Sequence, residues 1–240
     1  MEPSVLVDAL EREGRLLASC AAPGLDAPVA ACPGWVVADV VGHLGRVYRS
    51  VGDIVEHRLR EAPIARGPKP PVGGAVLEYF AEAHGRVVAL LRSTAPDTPV
   101  YTWATDGVAG FYHRRMTHET TAHRIDVQAA FGSIDPLDAD VAADGVSEFY
   151  DVVLPFGLAR LDRPLPTGSL HLHRTDGEGE WTLKIVDGAL SVGRGHSTAT
   201  GAVRGAASDL FVFAWNRGRS AALEVFGDAS VVDAWACLAP

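Results

Sequence analysis

The sequence predicts an α+β protein of two domains, an up-and-down four-helix bundle followed by a smaller α+β unit. Two observations support this prediction. The first half of the chain carries long apolar stripes at helical spacing, separated by loops rich in proline and glycine. From about residue 165, short runs of alternating polarity are separated by Asp-Gly and Gly-Glu-Gly sequences, which indicate β-hairpins. The 240 residues suffice for two modest domains, which we place at 1–150 and 151–240.

Four long helices are predicted in the first domain. The first covers Val5 to Ala22 and the second about Val36 to Leu59, because apolar residues recur there with a period of 3.6 residues. A third helix lies in AVLEYFAEAHGRVVALLRS, after a loop at residues 61–74 that is too rich in proline for regular structure. The fourth runs from Phe111 to about Phe131, and Gly132 is well placed to end it. Long helices joined by loops are typical of a bundle.

The second half of the chain begins with a fifth helix in DADVAADGVSEFYDVVLPFGLARL. Hairpin strands are predicted within LPTGSLHLHRTDGEGEWTLKIVDGALSVGRG, and a further strand in TATGAVRG. A helix from Ala206 to Trp215, a strand in ALEVFGD and a short helix in SVVDAWACL complete the α+β unit.

Composition excludes several classes of partner. The net charge is −9 and the arginines are scattered singly among acidic residues, so nucleic acid is not an expected partner. No apolar run approaches the roughly 18 residues of a membrane span, and the acidic N-terminus is unlike a signal peptide. The three cysteines, Cys20, Cys32 and Cys237, are an odd number at wide spacing, which argues against a disulfide framework. We expect a cytoplasmic protein, a monomer or weak homodimer, that contacts no membrane.

The segment RRMTHETTAH, in the fourth helix, contains the first candidate metal ligands. Glu119 and His123 interrupt the apolar stripe of that helix, and their i, i+4 spacing stacks the two side chains one turn apart. A buried carboxylate is costly unless it is paired or binds a metal. Since residues at this spacing also form simple surface pairs, a metal site needs a third ligand.

His43 is the best candidate for the third ligand. It borders the apolar stripe of the second helix and is flanked by Gly42 and Gly45, which indicate either close helix approach or room for a ligand. A packed core histidine is the alternative interpretation. No cysteine lies near these three residues in the sequence, and Cys32, in CPGW, is expected to pack at a helix entrance.

The other histidines are weaker candidates. His118 points about 100° away from Glu119 around the helix, so we expect it to pack nearby without joining the site. His57 and His84 lie among charged residues and are expected to face solvent.

Three more histidines lie in the second domain. His171 and His173 share one face of a strand in HLH, but no third ligand is close in sequence, which favours packing or exposure over a metal. His196 follows a glycine-rich loop. Walker, GxGxxG, HExxH and GxSxG signatures are absent from the sequence.

Two longer stretches carry a resemblance to a known family. CPGWVVADVVGHLG at 32–45 and RRMTHETTAHRIDVQAAFG at 114–132 resemble the signatures of the mycothiol-dependent maleylpyruvate isomerase family. TATGAVRGAASDLFVFAWNRG and LEVFGDASVVDAWA resemble its C-terminal pattern, so the likeness covers nearly the whole chain. The resemblance implies a DinB-like metal-binding bundle followed by a sterol-carrier-like α+β domain.

The same resemblance implies a site and a chemistry. His43, Glu119 and His123 take the places of the family's divalent metal ligands, usually for Zn²⁺, and mycothiol is the thiol cosubstrate. An arginine of the C-terminal domain holds the substrate in family members, and Arg217 is the candidate here, with Arg204 in reserve. The implied activity is maleylpyruvate cis-trans isomerisation or mycothiol S-transfer to a small electrophile or unsaturated acid.

Two other classes of protein share some of these features. Two histidines and a carboxylate also form the iron site of non-haem oxygenases, although those are usually built on β-barrels. The second alternative is a non-catalytic protein that binds a small molecule or lipid, in which the metal has a structural role.

Overall fold

The computed structural model describes residues 1–62, 68–104, 107–158, 164–218 and 220–238. The chain divides into two compact units, Met1–Asp135 and Pro136–Pro240. The first is helical and the second combines helices with a five-stranded sheet, as the sequence predicted. None of the described helices is both long and apolar enough to cross a membrane.

Four long helices build the first unit, each within a few residues of its predicted position. α1 packs mainly on α4, and α2 mainly on α3. Residues 63–67 of the predicted loop lie outside the described residues. The helices are α1 (Pro3–Ala21), α2 (Val37–Glu56), α3 (Ala75–Ser93) and α4 (Gly110–Ala130).

Helix α4 is buried on nearly every side, whereas the sequence pattern predicted a single buried stripe. Its polar residues are accommodated by local bonds: the hydroxyls of Thr117, Thr120 and Thr121 donate to carbonyls one turn earlier, at 2.6 to 2.8 Å. The buried Arg124 donates from Nε to Glu13 Oε2 of α1 at 2.6 Å. Side chains on several faces of α4 therefore meet partners inside the protein.

The two glycines beside His43 allow close packing of the second helix. A Cβ atom at Gly45 would lie 2.7 Å from the Tyr79 ring and 3.4 Å from the Phe80 backbone of α3. A Cβ atom at Gly42 would lie 2.9 Å from Pro70. Of the two interpretations that the sequence left open for these glycines, the structure supports close approach.

The second unit begins with α5 (Ala139–Glu148), which Asp138 caps by accepting bonds from two backbone amides. A π-helical turn (Phe149–Val153) and the short α6 (Leu154–Leu158) continue it. The predicted fifth helix thus exists, and its last three positions, 159–161, lie outside the described residues. The predicted boundary at residue 150 falls within this helix. The compact units instead divide after Asp135, because α5 packs on a later helix, α7 (Ala207–Ala214).

A mixed sheet with strand order β3-β2-β1-β4-β5 forms the rest of the unit. β1 and β4 are parallel and the other pairs are antiparallel. α7 and α8 (Ala229–Ala236) contact β1 and β4, and Leu170 and Leu172 of β1 are fully buried. The strands are β1 (Leu170–Arg174), β2 (Glu180–Val186), β3 (Ala189–Arg194), β4 (Gly201–Gly205) and β5 (Glu224–Gly227).

Candidate metal centre

The three side chains predicted as metal ligands come together between α2 and α4. Glu119 Oε1 lies 3.1 Å from His43 Nε2 and 3.5 Å from His123 Nε2. The two imidazole rings are 5.1 Å apart between centroids, and the three candidate donor atoms lie within 4.8 Å of one another. One carboxylate oxygen therefore faces the Nε2 atoms of both histidines.

A second carboxylate, which we did not predict, orients His123. Asp126 is one turn further along α4, and its Oδ2 lies 2.9 Å from His123 Nδ1, with no part of the side chain exposed. A carboxylate bound to one imidazole nitrogen fixes the ring and directs the other nitrogen toward a metal. The spacing His-x-x-Asp on a helix was the available sequence signal.

Arg115 holds the other oxygen of Glu119, and this residue was also not predicted. Its Nη2 donates to Glu119 Oε2 at 2.7 Å, and only 4% of the side chain is exposed. Burial raises the pKa of Glu119, but the charge of Arg115 and the hydrogen bonds of the two histidines outweigh it and hold this pKa well below its usual range. Glu119 is therefore a carboxylate at neutral pH.

The sequence CPGW forms a tight turn against this centre. Trp35 N donates to Cys32 O at 2.9 Å, with Pro33 second in the turn and Gly34 third at a φ of +83°, the pattern of a type II turn. The Trp35 and His43 rings are 5.3 Å apart between centroids, and Cys32 Sγ lies 3.8 Å from Asp126 Oδ2. Our expectation that no cysteine lies near the ligands is wrong, because the turn places Cys32 beside them.

His123 binds its second ring proton strongly, and this proton competes with a metal ion for the ring. Burial lowers the pKa of His123, but hydrogen bonds with Asp126, Cys32 and Glu119 outweigh this effect and raise it well above its usual value. A metal ion bound by the ring would displace the proton on Nε2, so protons compete with the metal.

The donor set fits a divalent transition metal. Two imidazoles and one carboxylate are a common protein contribution to catalytic zinc sites, which keep a further position for an exogenous ligand. The carboxylate is ionised and the ring of His123 is held in place, as such a site requires. The same donors also suit Fe²⁺, so the residues define the class of metal and not the element.

A cavity of about 440 Å³ in the first unit reaches this centre. Arg115 and Glu119 line part of it, and the aromatic side chains of Tyr101, Trp103 and Tyr112 line another part. This volume is within the range of small-molecule sites, about 300 to 1,000 Å³. The candidate ligand Glu119 is thus accessible to a small organic molecule.

The remaining histidines of the first unit lie outside the cluster. His118 is fully buried in α4 and is not among the clustered donors, as expected. His57 is exposed, also as expected. His84 does not face solvent as we predicted: it is 7% exposed, its Nε2 lies 3.1 Å from Leu10 O, and its ring stacks on Phe80. Gly14 leaves the space that this ring occupies, since a Cβ there would lie 2.2 Å from His84 Nε2.

Both candidate arginines belong to the second unit. Arg204 in β4 pairs with Glu224 of β5 at 2.9 Å, and both side chains are about half exposed. Arg217 follows α7 and is partly buried, and its Nη1 donates to Trp215 O at 2.7 Å.

Histidines of the second unit form a cluster that we did not predict. His171 and His173 of β1 lie beside Glu180 of β2 and His196, with one donor atom of each residue within 4.8 Å of the others. Glu180 lies across the hairpin from His173, so the fold brings to the HLH pair a carboxylate that its sequence spacing did not reveal.

Fold and site together define a two-domain α+β protein whose helical bundle carries a candidate centre for a divalent metal. Residues 6–128 match the family model of the mycothiol maleylpyruvate isomerase (MDMPI) N-terminal domain, and residues 140–234 match the model of the MDMPI C-terminal domain. The chain belongs to this family.

Solved structures support the same fold. The crystal structure of the mycothiol-dependent maleylpyruvate isomerase superposes with a TM-score of 0.64 at 11% sequence identity, covering 94% of this chain and 93% of that one. The structure of its mutant with a histidine replaced by alanine gives 0.63 at the same identity and coverage. No curated protein sequence matches the chain.

Proposed function

We propose that this protein is a metal-dependent isomerase that uses mycothiol to convert maleylpyruvate to its trans isomer. The observation that carries the proposal is the convergence of His43, Glu119 and His123, of which Glu119 lines a cavity, in a chain of this family. We further propose Zn²⁺ as the metal, because imidazole and carboxylate donors with an open position suit it.

The reaction needs a thiolate and an activated double bond. The thiolate of mycothiol forms a C–S bond at one carbon of the cis double bond, and the electron pair moves onto the conjugated carbonyl oxygen. Rotation about the resulting single bond and expulsion of the thiolate yield the trans product, fumarylpyruvate, with no net change in atoms or electrons. A bound divalent ion supplies Lewis acidity that lowers the pKa of a coordinated thiol, which for a free thiol is near 8.5.

The residues of the chain prepare the site for this chemistry. Arg115 keeps Glu119 ionised, and Asp126 holds the ring of His123 with Nε2 toward Glu119. The aromatic wall of the cavity excludes water from one side of a bound substrate. Arg217 is the residue that we propose to bind a substrate carboxylate, and Arg204 is the reserve candidate; an anionic substrate needs such a cation.

Turnover of maleylpyruvate by the purified protein tests this proposal. We expect isomerisation to require both mycothiol and a divalent metal, so that removal of the metal by a chelator abolishes it and Zn²⁺ restores it. The trans product is identified by its proton NMR spectrum. Equal rates with and without the chelator, or without mycothiol, would overturn the proposal.

The same assay separates an isomerase from an S-transferase. An isomerase returns free mycothiol after each turnover, whereas a transferase consumes it in stoichiometric adducts with the electrophile. Accumulation of adducts without the trans product would assign the protein to the transferases. A free-thiol cosubstrate and three unpaired cysteines suit a reducing compartment, and we propose the cytoplasm as its location.

A further inference from the structure

A second group of metal-binding side chains lies on the sheet of the second unit. His171 and His173 alternate along β1 with the buried Leu170 and Leu172, so the two histidines point to the opposite face of the sheet. The β1–β2 register sets His173 opposite Glu180. His196 follows β3, which pairs with β2.

Glu180 is at the centre of this group. Its Oε1 lies 2.9 Å from His173 Nδ1, and its Oε2 lies 3.3 Å from His196 Nδ1 and 3.5 Å from His171 Nε2. The four donor atoms all lie within 4.8 Å of one another. Three imidazoles and one carboxylate thus converge on one point from two strands and a loop.

The buried atoms of the group have unused hydrogen-bonding capacity. His171 is 4% exposed, and its Nδ1 lies 2.9 Å from Thr182 Oγ1, which leaves Nε2 to face the cluster. Among the described residues, neither His171 Nε2 nor Glu180 Oε2 has a partner in hydrogen-bond geometry, although the two atoms are neighbours. Leaving such buried polar atoms without a hydrogen-bond partner is unfavourable.

Ion pairing alone does not account for the arrangement. One carboxylate balances the charge of one protonated imidazole, and protonating all three rings would leave like charges repelling at close range. The two arginines that border the group are already engaged, Arg174 with Asp140 and Asp176, and Arg194 with Asp151. A cation among neutral imidazoles satisfies the buried atoms and the carboxylate together.

We infer that His171, His173, Glu180 and His196 bind a second divalent transition metal, with Zn²⁺ as the best match. Imidazole ligands favour Zn²⁺ over Ca²⁺ and Mg²⁺, which take oxygen ligands. Thr182 orients His171 in the way that a hydrogen-bond partner orients a ligating histidine. Four protein donors close the coordination shell, as in structural zinc sites, so this metal stabilises the β1–β2–β3 edge of the sheet.

Metal stoichiometry of untagged protein, loaded with Zn²⁺ and dialysed, tests this inference. We expect two equivalents in the wild-type protein and one in the double variant His173→Asn/His196→Asn. His196 is 81% and His173 33% exposed in the side chain, so these substitutions leave the fold intact. His57→Asn removes an exposed histidine outside both clusters and is the matched control, which keeps two equivalents.

The Glu119→Gln variant separates the two centres. We expect this variant to keep one equivalent of zinc and to melt at a higher temperature with Zn²⁺ than without it. Adding His173→Asn/His196→Asn to the Glu119→Gln variant is expected to abolish that shift in melting temperature. An unchanged zinc content and melting temperature after the double substitution would overturn the second site. If the first centre binds no metal and the second does, Glu119→Gln has the same zinc stoichiometry as the wild-type protein. The double substitution His173→Asn/His196→Asn still removes one equivalent.

Discussion

At the level of single residues, Asp126 fixes the orientation of the His123 ring. We predict that Asp126→Asn weakens metal binding at the first centre by about 10- to 100-fold, because the Asp126 carboxylate fixes the imidazole from behind. A competition titration against a chromophoric chelator measures this affinity. Asp97→Asn, at an exposed carboxylate of the same unit, is the control and leaves the affinity unchanged. An Asp126→Asn protein with wild-type affinity would show that the Asp126–His123 contact does not support the metal.

Glu119 is the residue on which the first centre depends most. We predict that Glu119→Gln loses one equivalent of metal, since the neutral amide is a much weaker ligand than the carboxylate between the two histidines. Elemental analysis measures the loss, and Glu82→Gln, at an exposed ion pair with Arg49, is the matched control. Full metal retention by Glu119→Gln would mean that the ligand assignment is wrong.

Cys32 poses a question about which thiol reacts, because it lies 3.8 Å from Asp126 at the edge of the centre. If mycothiol supplies the nucleophile, Cys32→Ser retains mycothiol-dependent turnover within a few-fold of the wild-type rate. Steady-state kinetics with varied mycothiol measure this. Loss of turnover with the metal still bound would identify Cys32 as the reacting group instead.

The three side chains of the candidate metal centre could be picked out from the sequence, but the residues that support them were missed. Glu119 and His123 stand out because they interrupt an apolar stripe. Arg115 and Asp126 flank that stripe, and charged residues in such positions usually face solvent. They are buried here because α4 is surrounded on nearly all sides, which its own sequence does not indicate.

At the level of secondary structure elements, the packing of α2 on α3 depends on Gly45. We predict that Gly45→Ala destabilises the protein by about 1 to 3 kcal/mol, because the added methyl group overlaps the Tyr79 ring and touches the backbone of α3. The free energy of unfolding by urea measures this effect.

Gly85→Ala in α3 provides the matched control for that substitution. Apart from the neighbouring backbone of α3 itself, no atom of the described residues lies within 4 Å of a Cβ built at Gly85, so alanine there is expected to stabilise the helix by up to about 1 kcal/mol. Equal effects of the two substitutions would show that the close approach of α2 and α3 is unimportant for stability.

The elements themselves follow from sequence periodicity and turn residues, whereas strand register does not. The hairpin β1–β2 was predicted from its Asp-Gly and Gly-Glu-Gly residues, but which residue faces His173 depends on the length of the turn. That register brings Glu180 to the histidines, and His196 joins them only through the pairing of β3. The second cluster was therefore not readable from the HLH motif.

At the level of the whole molecule, two units of different architecture follow from the change of pattern along the chain. The position of the domain boundary could not be predicted from the sequence, because the amphipathic pattern of α5 is the same whether it packs on the bundle or on α7. At 11% identity to the solved structures, the fold persists while most side chains differ. The family relation rests on the match of residues 6–128 and 140–234 to the two domain models of the family.

In the mechanism that we propose, His43, Glu119 and His123 hold a metal to which mycothiol binds through sulfur. We would test this by zinc X-ray absorption spectroscopy, with and without mycothiol, on the variant Cys32→Ser/His173→Asn/His196→Asn. This variant lacks Cys32, the other candidate sulfur ligand, and two histidines of the second cluster. We predict that mycothiol adds one sulfur neighbour to the zinc at about 2.3 Å. A shell of nitrogen and oxygen alone at saturating mycothiol would contradict the claim.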